Sequence, residues 1–258
     1  MRPESCIGEI SAVNGSEVTI NMIGDVKLRF DSTLKQSVAP QDAVTMALLE
    51  AIDEPVGGDG GHVRRVQRCA QLLAEQLRRD GIFRDVIDDE FVDNLYRASA
   101  LHDVGKIGID RRILSKPGPL TTAEFEVVKE HVRIGSQLLK RAGELAGNPP
   151  FLTMAADIAL YHHERYDGTG YCAGLKGAEI PLAARIVALA DVHDALTSTR
   201  VYKSASDADE AKGMIASEAG KHFDPLIVDA FRATYAEFVA VLTRRKIASV
   251  SNQITHLA

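Results

Sequence analysis

Between Phe91 and Ile109 an apolar stripe runs into two polar side chains. Phe91, Leu95, Ala98 and Leu101 recur at spacings of four and three, the period of one buried helix face, and His102 and Asp103 follow at once. Gly105 is then expected to break the helix, with Lys106 after it. A carboxylate at the end of a buried face costs several kcal/mol unless a cation meets it. The adjacent imidazole argues that this cation is a metal, because nitrogen and oxygen donors together suit transition metals. One His-Asp pair carries little by itself. It constrains the fold only if other segments bring ligands to the same place.

The chain of 258 residues suits one large domain, or one domain with a small appendage, and its 45% of hydrophobic residues is enough for a substantial core. A net charge of -6 sets up no field for a nucleic-acid polymer, so none is expected as a partner. Cys6, Cys69 and Cys172 lack metal-type spacing and read as free thiols of a reducing compartment. No apolar run approaches the ~20 residues a membrane helix needs. Nor is there a basic-then-apolar start of the signal-peptide kind. The expectation is a cytoplasmic protein with no membrane partner.

Residues 1 to 31 alternate, with Val18, Ile20 and Met22 on one side and Val26, Leu28 and Phe30 likewise, between the turn signals Asn14-Gly15 and Gly24-Asp25. They predict two or three short strands, too few to be stable alone. A short helix is expected over 41 to 52, followed by a flexible joint from Pro55 to Gly61. The division is therefore residues 1–50, a small β-rich segment with a short helix, and residues 51–258, which read as helical throughout.

In that larger part Val63, Val66, Ala70, Leu73 and Leu77 repeat at helical spacing behind His62. Residues 110 to 120 are expected as an irregular loop. Thr121 and Glu124 form a capping box, opening a helix with Phe125, Val128, His131, Val132 and Leu139 on one side. A helix over about 151 to 163 ends at His162-His163, and a Gly-rich loop spans 164 to 180. Pro181 suits the first turn of a helix that carries Asp191 and Asp194. Two more helices are expected, Asp207 to Ala219 capped by Ser206 and Pro225 to about Leu242 capped by Asp224.

The ligand-type residues form a set: His62, His102, Asp103, His131, His162, His163 and Asp191, each at a helix end or on an apolar side. Each alone is commonly a satisfied core or boundary residue. Together, without a shared cation, seven inward polar groups would cost far too much. Four ligands close a structural site; about seven fit two ions, with Asp103 as the natural bridge. Two ions roughly 3.5–4 Å apart suit in-line displacement at phosphorus, and one lowers the pKa of a water toward ~7. Lys106 adds a fixed positive charge near the phosphate oxygens.

The pattern H-D-V-G-K-I-G-I, then H-H-E-R-Y-D-G-T-G-Y, then D-V-H-D-A-L-T-S-T-R-V-Y-K, resembles the HD-GYP subgroup of the HD metal-dependent phosphohydrolases, from about Met46 to Phe238. The resemblance implies a mainly α fold, an HD-type helical bundle with a small N-terminal β-strand appendage. It implies a phosphodiesterase that hydrolyses cyclic di-GMP to the linear dinucleotide pGpG and sometimes on to GMP. Its metals would be two divalent transition ions, iron first, manganese next and zinc last. Carried over by position, His62, His102, Asp103 and Asp191 would hold one metal, and Asp103, His131 and His162 the other, with His163 in a role that varies with metal count. Lys106, Arg200, Lys203 and Tyr171 would contact the dinucleotide, and Asp194 would orient the attacking water or take its proton.

Two departures stand out. The signature triplet reads Gly170-Tyr171-Cys172, with Cys in place of Pro, which is expected to loosen the loop and to affect substrate choice or the docking of a signalling protein there. The Glu that trinuclear members carry is Gly58 here, with Asp59 one residue off, so two metals are expected. His193 reads as a packing substitute for an aromatic. The alternatives are a receptor or adaptor that binds a cyclic dinucleotide without turnover, and a phosphodiesterase for cyclic GMP-AMP. Residues 1 to 31 stay open between a sensor remnant, a homodimer contact and a lid.

Overall fold

The computed structural model describes residues 10–13, 17–21, 27–31, Leu49, 61–198 and 208–241. The expectations for the remainder of 41 to 52, for the joint before Gly61, for Ser206 and for Arg200 and Lys203 lie outside the described residues. The chain divides into two compact units, Met1–Ala51 and Ile52–Ala258.

In the first unit β1 (Ile10–Val13), β2 (Glu17–Asn21) and β3 (Lys27–Asp31) form an antiparallel sheet in sequence order. The register sets Val18 opposite Phe30 and Ile20 opposite Leu28.

The second unit is helical. Helix α1 (His62–Arg79) buries Val66, Ala70, Leu73 and Leu77 and ends on Arg78 and Arg79, whose charges suit the helix C-terminus. Helix α2 (Asp89–Ser99) starts at Asp88, whose carboxylate accepts from the Phe91 N–H, and Asp89 and Glu90 sit in its first turn. Helix α3 (Arg111–Leu114) is short. Helices α4 (Thr122–Lys129) and α5 (His131–Leu145) follow, then α6 (Pro150–Tyr161), α7 (Leu182–Thr197), α8 (Ala208–Ser217) and α9 (Pro225–Ala233). Helix α1 packs on α2, α7 and α9, and α6 packs on α5, α2 and α7. The core is built of small and branched side chains: Ala155, Ile158 and Ala159 of α6 and Ala184, Ile186, Val187 and Leu189 of α7 are all buried, and the two helices pack together. No helix among the described residues is long and apolar enough to cross a membrane.

Several elements differ from the sequence expectation. Helix α2 ends at Ser99, so His102 and Asp103 occupy a turn that leads into a 3-10 helix, Val104–Gly108. Gly105 therefore does not terminate α2. Its role is close approach: a Cβ there would lie 1.9 Å from the His131 carbonyl oxygen and 2.5 Å from the Gly135 nitrogen on α5. The region expected as irregular loop contains α3, capped by Asp110. The helix expected to run through Phe125 and Leu139 breaks at Glu130, whose N–H turns back to the Val127 carbonyl. Phe125 is left 44% exposed, whereas Val132 and Leu139 are buried. Pro181 precedes α7 as its cap, in extended backbone, instead of lying in the first turn. The Thr121–Glu124 capping box and the Asp224 cap form as expected.

Leu73 is fully buried at the α1 centre. Leu73→Ala is expected to lower unfolding free energy by about 2–5 kcal/mol, read as a reduced urea midpoint with unchanged slope.

Candidate metal centre

Five segments deliver the candidate ligands. His62 opens α1, His102 and Asp103 follow α2, His131 opens α5, His162 and His163 follow α6, and Asp191 lies on α7. Asp103, His131, His162 and His163 offer ligand atoms within 4.8 Å of one another, and His62, His102 and Asp103 do the same. Asp103 belongs to both groups. Asp191 Oδ1 stands 3.6 Å from His62 Nε2 and 3.9 Å from His102 Nε2.

The hydrogen bonds behind the rings decide which nitrogen faces inward. His102 Nδ1 donates to the Ser99 carbonyl at 2.8 Å, His131 Nδ1 to Val128 at 2.7 Å, and His162 Nδ1 to Ile158 at 3.0 Å. A carbonyl only accepts, so each Nδ1 carries the hydrogen and each ring, when neutral, presents an Nε2 lone pair to the centre. His62 is held differently: its Nδ1 donates to Asp194 Oδ2 at 2.7 Å. This backing of a ligand ring by carbonyl or carboxylate is what fixes imidazoles at metal sites.

The inward atoms then confront one another. His62 Nε2 and His102 Nε2 are 3.3 Å apart, and His131 Nε2 lies 3.2 Å from Asp103 Oδ1. Among the described residues, Asp103 Oδ1, His131 Nε2 and His162 Nε2 are buried with no hydrogen-bond partner. Facing acceptors at such distances repel unless a cation lies between them. The donor set, imidazole nitrogen with carboxylate oxygen, therefore fits divalent transition ions, and the two groups around Asp103 fit a pair.

The electrostatics agree. Burial opposes ionisation of Asp103, but Lys106 and His102 hold its carboxyl well below the usual carboxylate range. Burial also opposes charge on His102, yet Asp103 and Asp191 push it up to about 9. A proton there does part of what a metal cation would do. Burial pushes His131, His162 and His163 down, so they stand as neutral donors at pH 7. Lys106 Nζ sits 2.5 Å from Asp103 Oδ2, at the edge of the same centre.

Asp194 lies one turn after Asp191 on α7. It is 1% exposed, and its carboxylate is taken up by His62 and by a bidentate contact with Arg65. Those partners hold its carboxyl down at about 2 despite burial. It stands behind His62, on Nδ1, while the Nε2 of that ring faces His102. Arg65 and Glu164 are the residues that the sequence reading passed over. The signal for Arg65 was its place one turn after His62 among buried valines. The signal for Glu164 was its adjacency to His162-His163.

Glu164 is 2% exposed, and its Oε1 accepts from the Ala173 N–H at 2.6 Å and the Gly174 N–H at 3.0 Å. It pins the Gly170-Tyr171-Cys172 loop, which the Cys was expected to loosen. Cys172 has φ of +109°, a backbone that the proline ring, fixed near -65°, does not adopt. Burial pushes the Cys172 thiol up, away from the reactive thiolate. Gly170 presses on the backbone of Glu164 and Arg165, with a notional Cβ 2.4 Å from the Arg165 nitrogen. Tyr171 then stacks on His163 at 4.9 Å between ring centroids. His193 packs among Phe231, Tyr235 and Phe238 and has no part in the metal centre.

Residues 62–227 match the HD domain family. The chain is 42% identical over 219 residues to a protein of Vibrio cholerae serotype O1 named cyclic di-GMP phosphodiesterase, covering 85% of this chain and 44% of that one. It is 34% identical over 194 residues to a second protein of that organism, named 3'3'-cGAMP-specific phosphodiesterase 2, covering 75% of this chain and 35% of the other. A solved cyclic GMP-AMP specific phosphodiesterase of V. cholerae superposes with a TM-score of 0.52 at 18% identity, over 82% of this chain and 53% of its own, and shares the fold. The chain belongs to the HD domain family, in its HD-GYP subgroup. It spans less than half the length of the two curated relatives just described.

Gly105→Ala is expected to push the Asp103 turn away from α5, because the added methyl meets backbone and not a flexible side chain. Bound metal should fall below two ions per chain by elemental analysis, with stability lowered by about 1–3 kcal/mol. Full occupancy in this variant would show that the close approach does not set the ligand spacing.

Proposed function

We propose that residues 51–258 form a metal-dependent phosphodiesterase domain that hydrolyses cyclic di-GMP to linear pGpG, and onward to GMP in part. The observation that carries this reading is Asp103: one carboxylate shared by two groups of imidazoles, with its own Oδ1 and the Nε2 atoms of His131 and His162 buried and, among the described residues, without a hydrogen-bond partner. His62, His102, Asp103 and Asp191 hold one ion; Asp103, His131 and His162 hold the other, with His163 beside it. The ions supply Lewis acidity toward a phosphodiester and its attacking water. Lys106 steadies phosphate oxygens with its fixed charge, while Asp194 and the backbone carbonyls keep the ligand rings aimed. Tyr171, Arg200 and Lys203 bind the dinucleotide, the Arg fork being suited to phosphate and guanine edges.

Iron is the first candidate metal, manganese the second; the same mixed donors also accept zinc. The relative named for 3'3'-cGAMP supports that nucleotide as a second substrate. The Gly-Tyr-Cys loop is proposed as the docking place of a signalling protein. Residues 1–50 are proposed as a separate β-rich appendage, with self-association as a homodimer to be tested by sedimentation.

Protein purified without air and loaded with Mn(II) or Fe(II) under reducing conditions should turn cyclic di-GMP over to linear product. Tight binding with no product over hours would make the domain a receptor instead. The ratio of kcat/KM for cyclic di-GMP and cyclic GMP-AMP decides the substrate. Asp103→Ala should lose at least one metal and nearly all activity. Arg200→Ala should keep both metals and mainly raise the Kd for nucleotide.

A further inference from the structure

Helix α4 is placed by its ends and not by a core. Thr121 and Glu124 cap it, Glu124 also holds Lys116, and none of its residues is buried. Phe125 and Val127 are exposed on it. Single exposed apolar side chains are common and need no function. Phe125 is not single. Its ring meets Tyr171 edge to face, with centroids 6.3 Å apart. Lys129, one turn on, sets its Nζ over both rings, 5.0 Å from the Phe125 centroid and 5.5 Å from that of Tyr171. Tyr171 stacks in turn on His163, which offers a ligand atom in the same group as Asp103, His131 and His162. Burial raises the pKa of the Tyr171 phenol, and the Asp103 and Asp191 carboxylates raise it further, so the ring lies within electrostatic reach of both. A row of rings thus runs from the metal centre to α4 and ends on an exposed aromatic with a cation beside it.

Packing explains this poorly. An aromatic ring stabilises a fold by leaving water, and α4 keeps Phe125 in it. An exposed ring with an ammonium suits a flat ligand. Every nucleobase has a π-face, and an aromatic side chain takes any of them. The ammonium adds a choice of base. Guanine offers two acceptors, O6 and N7, on one edge; adenine has N7 beside an amino donor that an ammonium cannot meet. Lys129 Nζ donates to Glu126 Oε1 at 2.7 Å, and an ammonium has three donors, so this pair does not exhaust it. In a dinucleotide each base is tethered through its ribose to a phosphate. A base site therefore belongs beside the group that takes the phosphate.

We propose that Phe125 and Lys129 form a guanine subsite of the metal centre: one base of the substrate stacks on Phe125, and Lys129 donates to its O6 and N7 edge. Tyr171 links this subsite to His163. The proposal rests on the phosphodiesterase reading above and deepens it, by assigning the part of the site that chooses the base. A merely structural α4, with Lys129 serving only as the partner of Glu126, would show no preference between purines.

The chain loaded with Mn(II) is titrated with GMP and with AMP by calorimetry, and KM for cyclic di-GMP is measured, for wild type, Phe125→Leu, Phe125→Tyr and Lys129→Met. Wild type should bind GMP about five- to tenfold more tightly than AMP. Lys129→Met should bring that ratio to about one, chiefly by weakening GMP. Phe125→Leu keeps apolar bulk without a π-face. It should weaken both mononucleotides and raise KM about five- to fiftyfold, while Mn(II) per chain stays at the wild-type value. Phe125→Tyr keeps the ring and should restore both affinities.

Equal affinity of wild type for GMP and AMP, or a ratio that survives Lys129→Met, would overturn the guanine contact. Unchanged KM in Phe125→Leu would overturn the stack. Loss of Mn(II) from either variant would show that α4 props the centre instead of reading the base. Should Lys129→Met fail to fold, Lys129→Ala carries the same comparison. Wild type that holds Mn(II) but does not cleave cyclic di-GMP would sink the phosphodiesterase reading. The GMP and AMP titrations would still decide whether Phe125 and Lys129 take guanine.

Discussion

The arrangement depends on a repulsion. Lone pairs on His62, His102, His131 and His162 are turned toward one another and toward Asp103 by hydrogen bonds on the far side of each ring. The Nδ1 protons do not relieve this, because each is already committed to a carbonyl or carboxylate. Positive charge does, whether as the fixed ammonium of Lys106, a proton on His102, or divalent ions. The bundle supplies the force that keeps the rings there: α1, α2, α5, α6 and α7 are packed by alanine, valine, leucine and isoleucine, and the ligands sit at their ends. Stability from the apolar core is thereby spent on holding donors in an arrangement unfavourable without its cation.

Much of this was legible in the residue order. Side chains that coordinate metals are rare on apolar helical faces, so His62, His102, Asp103, His131, His162, His163 and Asp191 stood out by type and position alone. Local chemistry was also readable: Thr121 with Glu124, and Asp224 before Pro225, signal helix starts through contacts within a few residues. What could not be read were features set by distant partners. The apolar spacing from Phe125 to Leu139 is continuous, and nothing in it shows that the chain bends at Glu130 so that His131 can open a new helix. Asp194 lies one turn after Asp191, and the resemblance implied a place for it beside the attacking water. Only the placement of Arg65 on another helix reveals that its carboxylate is already occupied. Gly105 looked like a helix breaker because the glycine gives no sign of the α5 backbone pressing against it.

The loop around Tyr171 is held by a similar division of labour. Glu164, next in sequence to two candidate ligands, turns its carboxylate to the backbone of Ala173 and Gly174. The same short stretch thus presents imidazoles to the metal centre and anchors the aromatic ring that leans on one of them. A shift in this loop would be felt at His163 through direct ring contact.

Cys172 shows what such anchoring means for the residues the loop can accept. Its backbone lies in a region closed to proline, so a proline cannot stand here as an isolated exchange. A proline would oblige the peptide groups around it to rotate together, and the Glu164 acceptor would have to find new donors. A proline ring and this turn therefore exclude one another, and the residue at 172 and the path of the loop are one choice, not two.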